Sequence, residues 1–268
     1  MRFTILSESQ AVLVTYILLS GCGNGYGSVS DASASVLVVP PPSSAVSREF
    51  QSSGCPSTMS LVEGGSLVYS HEDKRVTLAP FCLDRLEVTV RAYDACVAEG
   101  LCEAVQPSRV SAAGCNWSNR LERAEHPMNC VTYPEATAFC EAYRKRLPSA
   151  AEYEWVLQGM SRQWLYPWGD DVPSRRICWS GVEQRVGTCA VGMFSDGRSP
   201  EGVADLVGNV SEWTATRNEG VGRQGIWVAG GSYAAGPASE SVLATASFWQ
   251  EAGTADALIG FRCARSVW

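Results

Sequence analysis

Cysteine is the residue type with the most chemistry to offer in this chain, which has eleven cysteines but only two histidines, His71 and His126. Thiolates bind soft metals or act as nucleophiles, whereas thiols in an oxidising compartment pair as disulfides. A zinc site would need cysteine pairs at short spacing or histidine partners, and the closest pair is Cys96 and Cys102. Disulfides are therefore the better interpretation of most of these cysteines.

Cys22 differs from the others because it follows an apolar run, 11–19, and the small residues Ser20 and Gly21. This layout is typical of a signal peptide, and the run is shorter than the ~20 residues that span a bilayer as a helix. The stretch 19–22 resembles a bacterial lipobox, with cleavage at an ordinary signal-peptidase site as the alternative. We expect a signal peptide over 1–21 and a lipid on Cys22.

A lipid on Cys22 would anchor the protein to a membrane of the bacterial cell envelope. Gly23 stands where an Asp is associated with inner-membrane retention in some bacteria, so we expect the outer membrane, on either its periplasmic or its surface face. Residues 22–54 are rich in Ser, Gly, Ala and Pro and predict a flexible linker. Residues 55–268 have the composition and length of one folded domain.

The charge of the chain argues against nucleic acid as a partner. Its formal net charge is -7, and the one dense basic cluster, Arg144, Lys145 and Arg146, ends a predicted helix whose dipole it would complement. Phosphate backbones attract proteins through clustered Lys and Arg on a surface. The sequence therefore predicts a protein that does not bind nucleic acid.

Without Cys22, ten cysteines remain, and an even number in an exported chain predicts five disulfides. Spacing alone does not fix the connectivity, but neighbours in sequence are the natural first pairing. That pairing predicts the bridges Cys55–Cys82, Cys96–Cys102, Cys115–Cys130, Cys140–Cys263 and Cys178–Cys189.

Several elements can be predicted from local patterns. Apolar residues on both sides of Gly64 and Gly65 predict a hairpin over 59–69, and alternation predicts a strand over 76–89 with a break at Pro80. Helical spacing over 90–99 predicts a short helix that Gly100 ends. Two further helices are expected after Thr132 and Ser149, each of which has a Glu three residues later, as in a capping box.

Six motifs, in this order, carry a family resemblance: HPMNCV at 126–131, RLPSAAEYEW at 146–155, YPWG at 166–169, GNVSEW at 208–213, GGS at 230–232 and GFRCAR at 260–265. Together they make residues 57–268 resemble the formylglycine-generating enzyme family, also called the sulfatase-modifying factor family. The resemblance implies an α+β, C-type-lectin-like fold with much irregular structure. It also supports the pairing of Cys140 with Cys263.

In catalytic members of that family, two cysteines after the GGS segment bind copper and convert a substrate cysteine to formylglycine. Cu(I) prefers soft thiolate ligands. By the resemblance, the two positions fall on Ala235 and Glu240, and neither side chain provides a thiolate. We therefore expect no copper and assign no catalytic residue.

The resemblance also implies a calcium site at the GNVSEW segment. Its ligands would be Asp205, the carbonyl groups of Gly208 and Val210, and Glu212, and such hard oxygen ligands suit calcium. The alternative is that the two carboxylates accept hydrogen bonds from backbone amides of the turn.

These features favour a non-catalytic binding or scaffolding domain of the envelope. Its variable surface would come from 234–254 and from the loops near 104–125, and its ligand would be a protein or a glycan. One alternative is a diverged enzyme or an accessory factor of the same family, for which we would expect a polar pocket with a perturbed titratable group near Glu240. The other is a purely structural envelope component.

Overall fold

The computed structural model describes residues 54–70, 72–106, 109, 113–218, 225–237 and 240–267. The predicted signal peptide, Cys22 and almost all of the predicted linker lie outside the described residues, as does His71. The chain divides into the units 1–46 and 47–268, and every described residue belongs to the second. None of the described helices is long and apolar enough to cross a membrane.

The described residues contain three small sheets. The strands are β1 Met59–Val62, β2 Gly65–Tyr69, β3 Lys74–Leu78, β4 Phe81–Asp84, β5 Ser211–Asn218, β6 Gly225–Ala229, β7 Ser247–Gln250, β8 Ile259–Gly260 and β9 Ala264–Ser266. The first sheet has the strand order β1-β4-β9, the second pairs β2 with β3, and the third has the order β7-β6-β5-β8. All neighbours are antiparallel except β5 and β8, which are parallel.

The predicted hairpin over 59–69 is wrong. Both strands form, but β1 pairs with β4 and β2 pairs with β3, so that the two belong to different sheets. The glycines between them serve close packing: a Cβ on Gly64 would lie 2.3 Å from the carbonyl oxygen of Leu78, and one on Gly65 would lie 2.4 Å from the Trp155 ring. The predicted break at Pro80 is correct and separates β3 from β4, but the strand ends at Asp84.

Three α-helices have the predicted positions: α1 Val90–Ala98, α2 Tyr133–Ala142 and α3 Ala150–Leu157. Both predicted capping boxes form. Thr132 and Glu135 cap α2 reciprocally, and Ser149 and Glu152 do the same for α3. All eight residues of α3 are buried, so this helix forms the centre of the domain rather than a surface element.

The ten cysteines from Cys55 onward form five disulfides, with the pairing that the sequence predicts. The Cys140–Cys263 bridge joins α2 to the residue before β9 across 123 positions. The Cys178–Cys189 bridge closes a loop beside the GNVSEW segment, where the amide of Cys189 donates to Asn209 Oδ1. Of these ten cysteines only Cys82 lies in a strand, so most of the disulfides cross-link helices and irregular segments.

Candidate functional site

A fully buried ion pair lies at the centre of the domain, between the GNVSEW segment and the GFRCAR segment. Arg262 and Glu212 are both 0% exposed. Arg262 Nε donates to Glu212 Oε2 at 2.8 Å, and Nη2 donates to Oε1 at 2.6 Å. The Tyr153 hydroxyl from α3 donates to Oε1 at 2.9 Å, so three elements meet at one carboxylate.

Two more buried carboxylates lie near this pair. Glu87, between β4 and α1, accepts from Asn209 Nδ2 at 2.6 Å and from the amide of Val210 at 3.3 Å. Asp205 accepts from the amide of Gly192. Asp205, Gly208 and Asn209 all have a positive φ, which turns the chain tightly through the GNVSEW segment.

The cluster has more negative than positive groups. Burial, and then the charges of Asp205 and Glu212, raise the pKa of Glu87 well above its ordinary value. Burial likewise raises the pKa of Asp205, with a further contribution from Glu212. Arg262 neutralises one carboxylate, so another cation or a proton would be needed to neutralise the remainder.

The predicted calcium ligands can be tested against this arrangement. Both oxygens of Glu212 accept from Arg262, but an ionised carboxylate has about four acceptor positions and Oε2 takes only the bond from Nε. Asp205 accepts through Oδ2, from Gly192. The described residues hold no group of three or more His, Cys, Asp or Glu side chains placed to bind a metal ion. A calcium ion here would therefore depend on the carbonyl groups of Gly208 and Val210 as well.

The predicted copper positions lie elsewhere, after the GGS segment. Ala235 is buried and belongs to the same apolar cluster as Trp179, Val242 and Ala244. Its amide donates to Ser232 O at 3.0 Å, and its carbonyl accepts from the amide of Ser180 at 3.0 Å. This position is therefore part of the packed framework.

Glu240 lies at a cavity of about 390 Å³ beside the edge strand β7. Glu240 begins a 3-10 turn, Glu240–Val242. The cavity combines a carboxylate and two hydroxyl groups with apolar side chains, and its described lining is Gly231, Glu240, Leu243, Thr245, Ala246, Ser247 and Phe248. Since this lining contains no cysteine or histidine, it offers no soft ligand for copper.

Sequence reasoning missed Glu87 and Arg262 as members of the central cluster. The available signal was a charged residue with an apolar neighbour on each side: Arg262 between Phe261 and Cys263, and Glu87 between Leu86 and Val88. The sequence also contains the glycosylation pattern Asn-x-Ser at Asn116 and at Asn209, and the structure places both asparagines in the interior. Asn116 is 4% exposed and Asn209 is 1% exposed.

Comparisons with known proteins show which family the chain belongs to. The sulfatase-modifying factor enzyme 1-like domain matches residues 44–267. The inactive C-alpha-formylglycine-generating enzyme 2 of Bos taurus is 31% identical over 155 residues, which cover 53% of this chain and 51% of that protein. The formylglycine-generating enzyme of Mycobacterium tuberculosis is 34% identical over 111 residues, which cover 37% and 36%. The chain thus aligns with about half or less of these relatives.

The solved structure of CarF superimposes with a TM-score of 0.62 at 22% sequence identity, covering 78% of this chain and 98% of that one. This likeness shows the fold, which is the C-type-lectin-like α+β fold that the sequence predicts. With the match over 44–267, the chain belongs to the formylglycine-generating enzyme (sulfatase-modifying factor) family.

Proposed function

We propose that this chain is a membrane-anchored, non-catalytic binding domain of the cell envelope, built on the formylglycine-generating enzyme fold. One observation carries the proposal: all ten cysteines of the domain are in disulfides, and the two copper positions hold Ala235 and Glu240. The similarity to relatives named as inactive formylglycine-generating enzymes supports it.

The binding site of this proposal is the cavity that Glu240, Leu243 and Phe248 line. Phe248 is 38% exposed, so it offers an aromatic surface to a ligand, and Glu240 offers a charge. Concave sites with apolar walls and a few polar groups are where proteins usually bind ligands. The ligand would be an envelope protein or a glycan, because the domain would lie on a membrane surface.

Arrays of peptides and of glycans, probed with the folded chain, test this proposal. We expect a hit whose binding is lost in Phe248→Asp and reduced in Glu240→Gln. Leu101→Asp is the matched control, because Leu101 is 51% exposed and does not line the cavity. A folded protein that binds neither array, or hits that survive Phe248→Asp, would contradict the proposal.

The anchor of this proposal is a lipid on Cys22, with the linker 22–54 as its tether. Several acyl chains together hold a protein firmly to a bilayer. Mass spectrometry of the native protein would give the mass of the acylated N-terminus. An unmodified chain that begins elsewhere would remove the anchor from the proposal and leave the binding site untouched.

We also propose that calcium binds at Asp205, Glu212 and the carbonyl groups of Gly208 and Val210. The support is the excess of buried negative charge around Glu87, which a divalent cation would reduce. Calcium is expected to raise the unfolding temperature of the EDTA-treated protein. Asp205→Asn should weaken this effect, and identical unfolding with and without calcium would contradict the proposal.

A further inference from the structure

A second cavity, of about 160 Å³, lies between the turn at 114–123 and the loop at 186–187. The described lining residues of this cavity and of the cavity at Glu240 are all different. Most of its described lining is polar backbone or polar side chain, and it includes Ser118, Asn119 and Arg123. Arg123 is the one cationic side chain in that described lining.

Arg123 has an unusual environment for a half-buried guanidinium. Its Nη1 lies 3.3 Å from His126 Nδ1 and donates to Thr188 O at 3.5 Å, both of which are long contacts. No carboxylate lies within 4.0 Å of it among the described residues. A guanidinium has five N–H donors, and no described residue accepts from Nε or Nη2 of Arg123.

The charge of Arg123 acts on the groups around it. Burial lowers the pKa of His126 most, and the positive charge of Arg123 lowers it further. It also opposes the rise in pKa that burial and Asp256 produce at Tyr233. The Tyr233 hydroxyl would lie 3.3 Å from a Cβ added to Gly114, which lines the cavity. This positive charge is therefore not neutralised within the described part of the chain.

The walls of the cavity are fixed by buried hydrogen bonds and a disulfide. Asn116 Nδ2 donates to Pro127 O at 2.8 Å, and the amide of Asn116 donates to Asn129 Oδ1 at 2.8 Å. The Cys115–Cys130 bridge joins the same two segments. A ligand that enters this cavity would thus meet a preorganised site and would cost little ordering of the chain.

We propose that this cavity binds one small oxyanion, a carboxylate, sulfate or phosphate group, with Arg123 as the charged donor. No described residue accepts from Nε or Nη2 of Arg123, and this pair suits a bidentate contact, which is the geometry in which guanidinium recognises such groups. Asn119 adds an amide that can donate. The volume holds a single such group with a few waters, since a water occupies about 30 Å³.

Isothermal titration of the folded chain with sodium sulfate, phosphate and acetate, at ionic strength held constant with sodium chloride, tests this site. We expect at least one of them to bind, and Arg123→Gln to weaken that binding about tenfold or more. Arg120→Gln is the matched control, because Arg120 is in the same turn but is 51% exposed and pairs with Asp94. It should leave the affinity unchanged.

Two further measurements, a peptide comparison and a second variant, identify the anion and provide an independent test of the site. A short peptide with a free C-terminal carboxylate, compared with its amidated form, distinguishes a peptide terminus from an inorganic ion as the source of the anion. Asn119→Ala should weaken binding severalfold, and it serves as the second variant if Arg123→Gln does not fold. Absence of binding by every anion, or equal affinity in native protein and both cavity variants, would overturn the proposal. Either result would leave the site at Glu240 standing.

Discussion

Replacing Arg262 with Met tests whether the buried cluster holds the GNVSEW and GFRCAR segments together. Met has a similar length and no charge, so the change leaves Glu212 fully buried and without its counter-charge. Glu212 would keep only the bond from Tyr153, with Glu87 and Asp205 as negative neighbours. The carboxylate would therefore be desolvated without compensation.

Removing one partner of a buried ion pair typically costs about 3–5 kcal/mol of unfolding free energy. For a domain of this size, about 1 kcal/mol shifts the unfolding temperature by about 2–4 °C. Arg262→Met should therefore unfold about 6–20 °C below the native protein. The double variant Arg262→Met with Glu212→Met should lose less than the sum of the two single losses, because it leaves no unpaired charge.

Denaturant unfolding followed by tryptophan fluorescence measures these losses, with calcium and EDTA arms to separate any effect of metal. Arg91→Met is the matched control, because Arg91 pairs with Glu125 and both side chains are more than half exposed. Exposed ion pairs typically contribute about 0–1 kcal/mol to the free energy of unfolding. If Arg262→Met lost no more stability than Arg91→Met, the cluster would not hold the fold as described.

Three other predictions can be tested by thermal or denaturant unfolding. Gly208→Ala should lower the free energy of unfolding by about 1–3 kcal/mol more than Gly202→Ala does. Both glycines have φ +83°, but a Cβ on Gly208 would lie 2.7 Å from the carbonyl oxygen of Cys178, whereas nothing lies within 4 Å of a Cβ on Gly202. Burial and the neighbouring Arg123 guanidinium lower the pKa of His126, so its contribution to stability is fully present above the unfolded pKa and is lost as pH falls from that value through the lower folded pKa. His126→Gln should flatten this acid loss of stability. Buried carboxylates with raised pKa values act in the opposite direction in both proteins. Removing the Cys140–Cys263 bridge by a double Ala substitution should cost about 2–5 kcal/mol, and an unchanged midpoint would contradict its role as the longest cross-link.

Local patterns in the sequence were sufficient for the features that depend on neighbouring residues. The capping boxes at Thr132 and Ser149 form because their partners are three residues away on the same turn. The disulfides could be predicted from an even count, from spacing and from the family resemblance. The six motifs predicted the fold because they occur in the family's order.

Features that depend on distant segments could not be predicted in the same way. The Gly64-Gly65 pair has the composition of a hairpin turn, yet β1 pairs with β4 and β2 pairs with β3. The glycines instead allow close packing against Leu78 and Trp155. Glu87 and Arg262 belong to one cluster because each of them bonds to the GNVSEW segment, Glu87 to Asn209 and Arg262 to Glu212, from distant parts of the sequence. That no described carboxylate pairs with Arg123 also depends on where the fold places the acidic residues.

This chain keeps the family framework, but Ala235 and Glu240 stand at the positions that the resemblance assigns to the copper-binding cysteines. A competitive Cu(I) titration of the natively oxidised protein against a chromophoric chelator, with an active formylglycine-generating enzyme as the positive control, tests the claim that the chain binds no copper. The structure predicts that the chelator keeps all of its copper, because Ala235 and Glu240 supply no thiolate and the ten domain cysteines are in disulfides. Transfer of one equivalent of Cu(I) to the folded chain would contradict the claim.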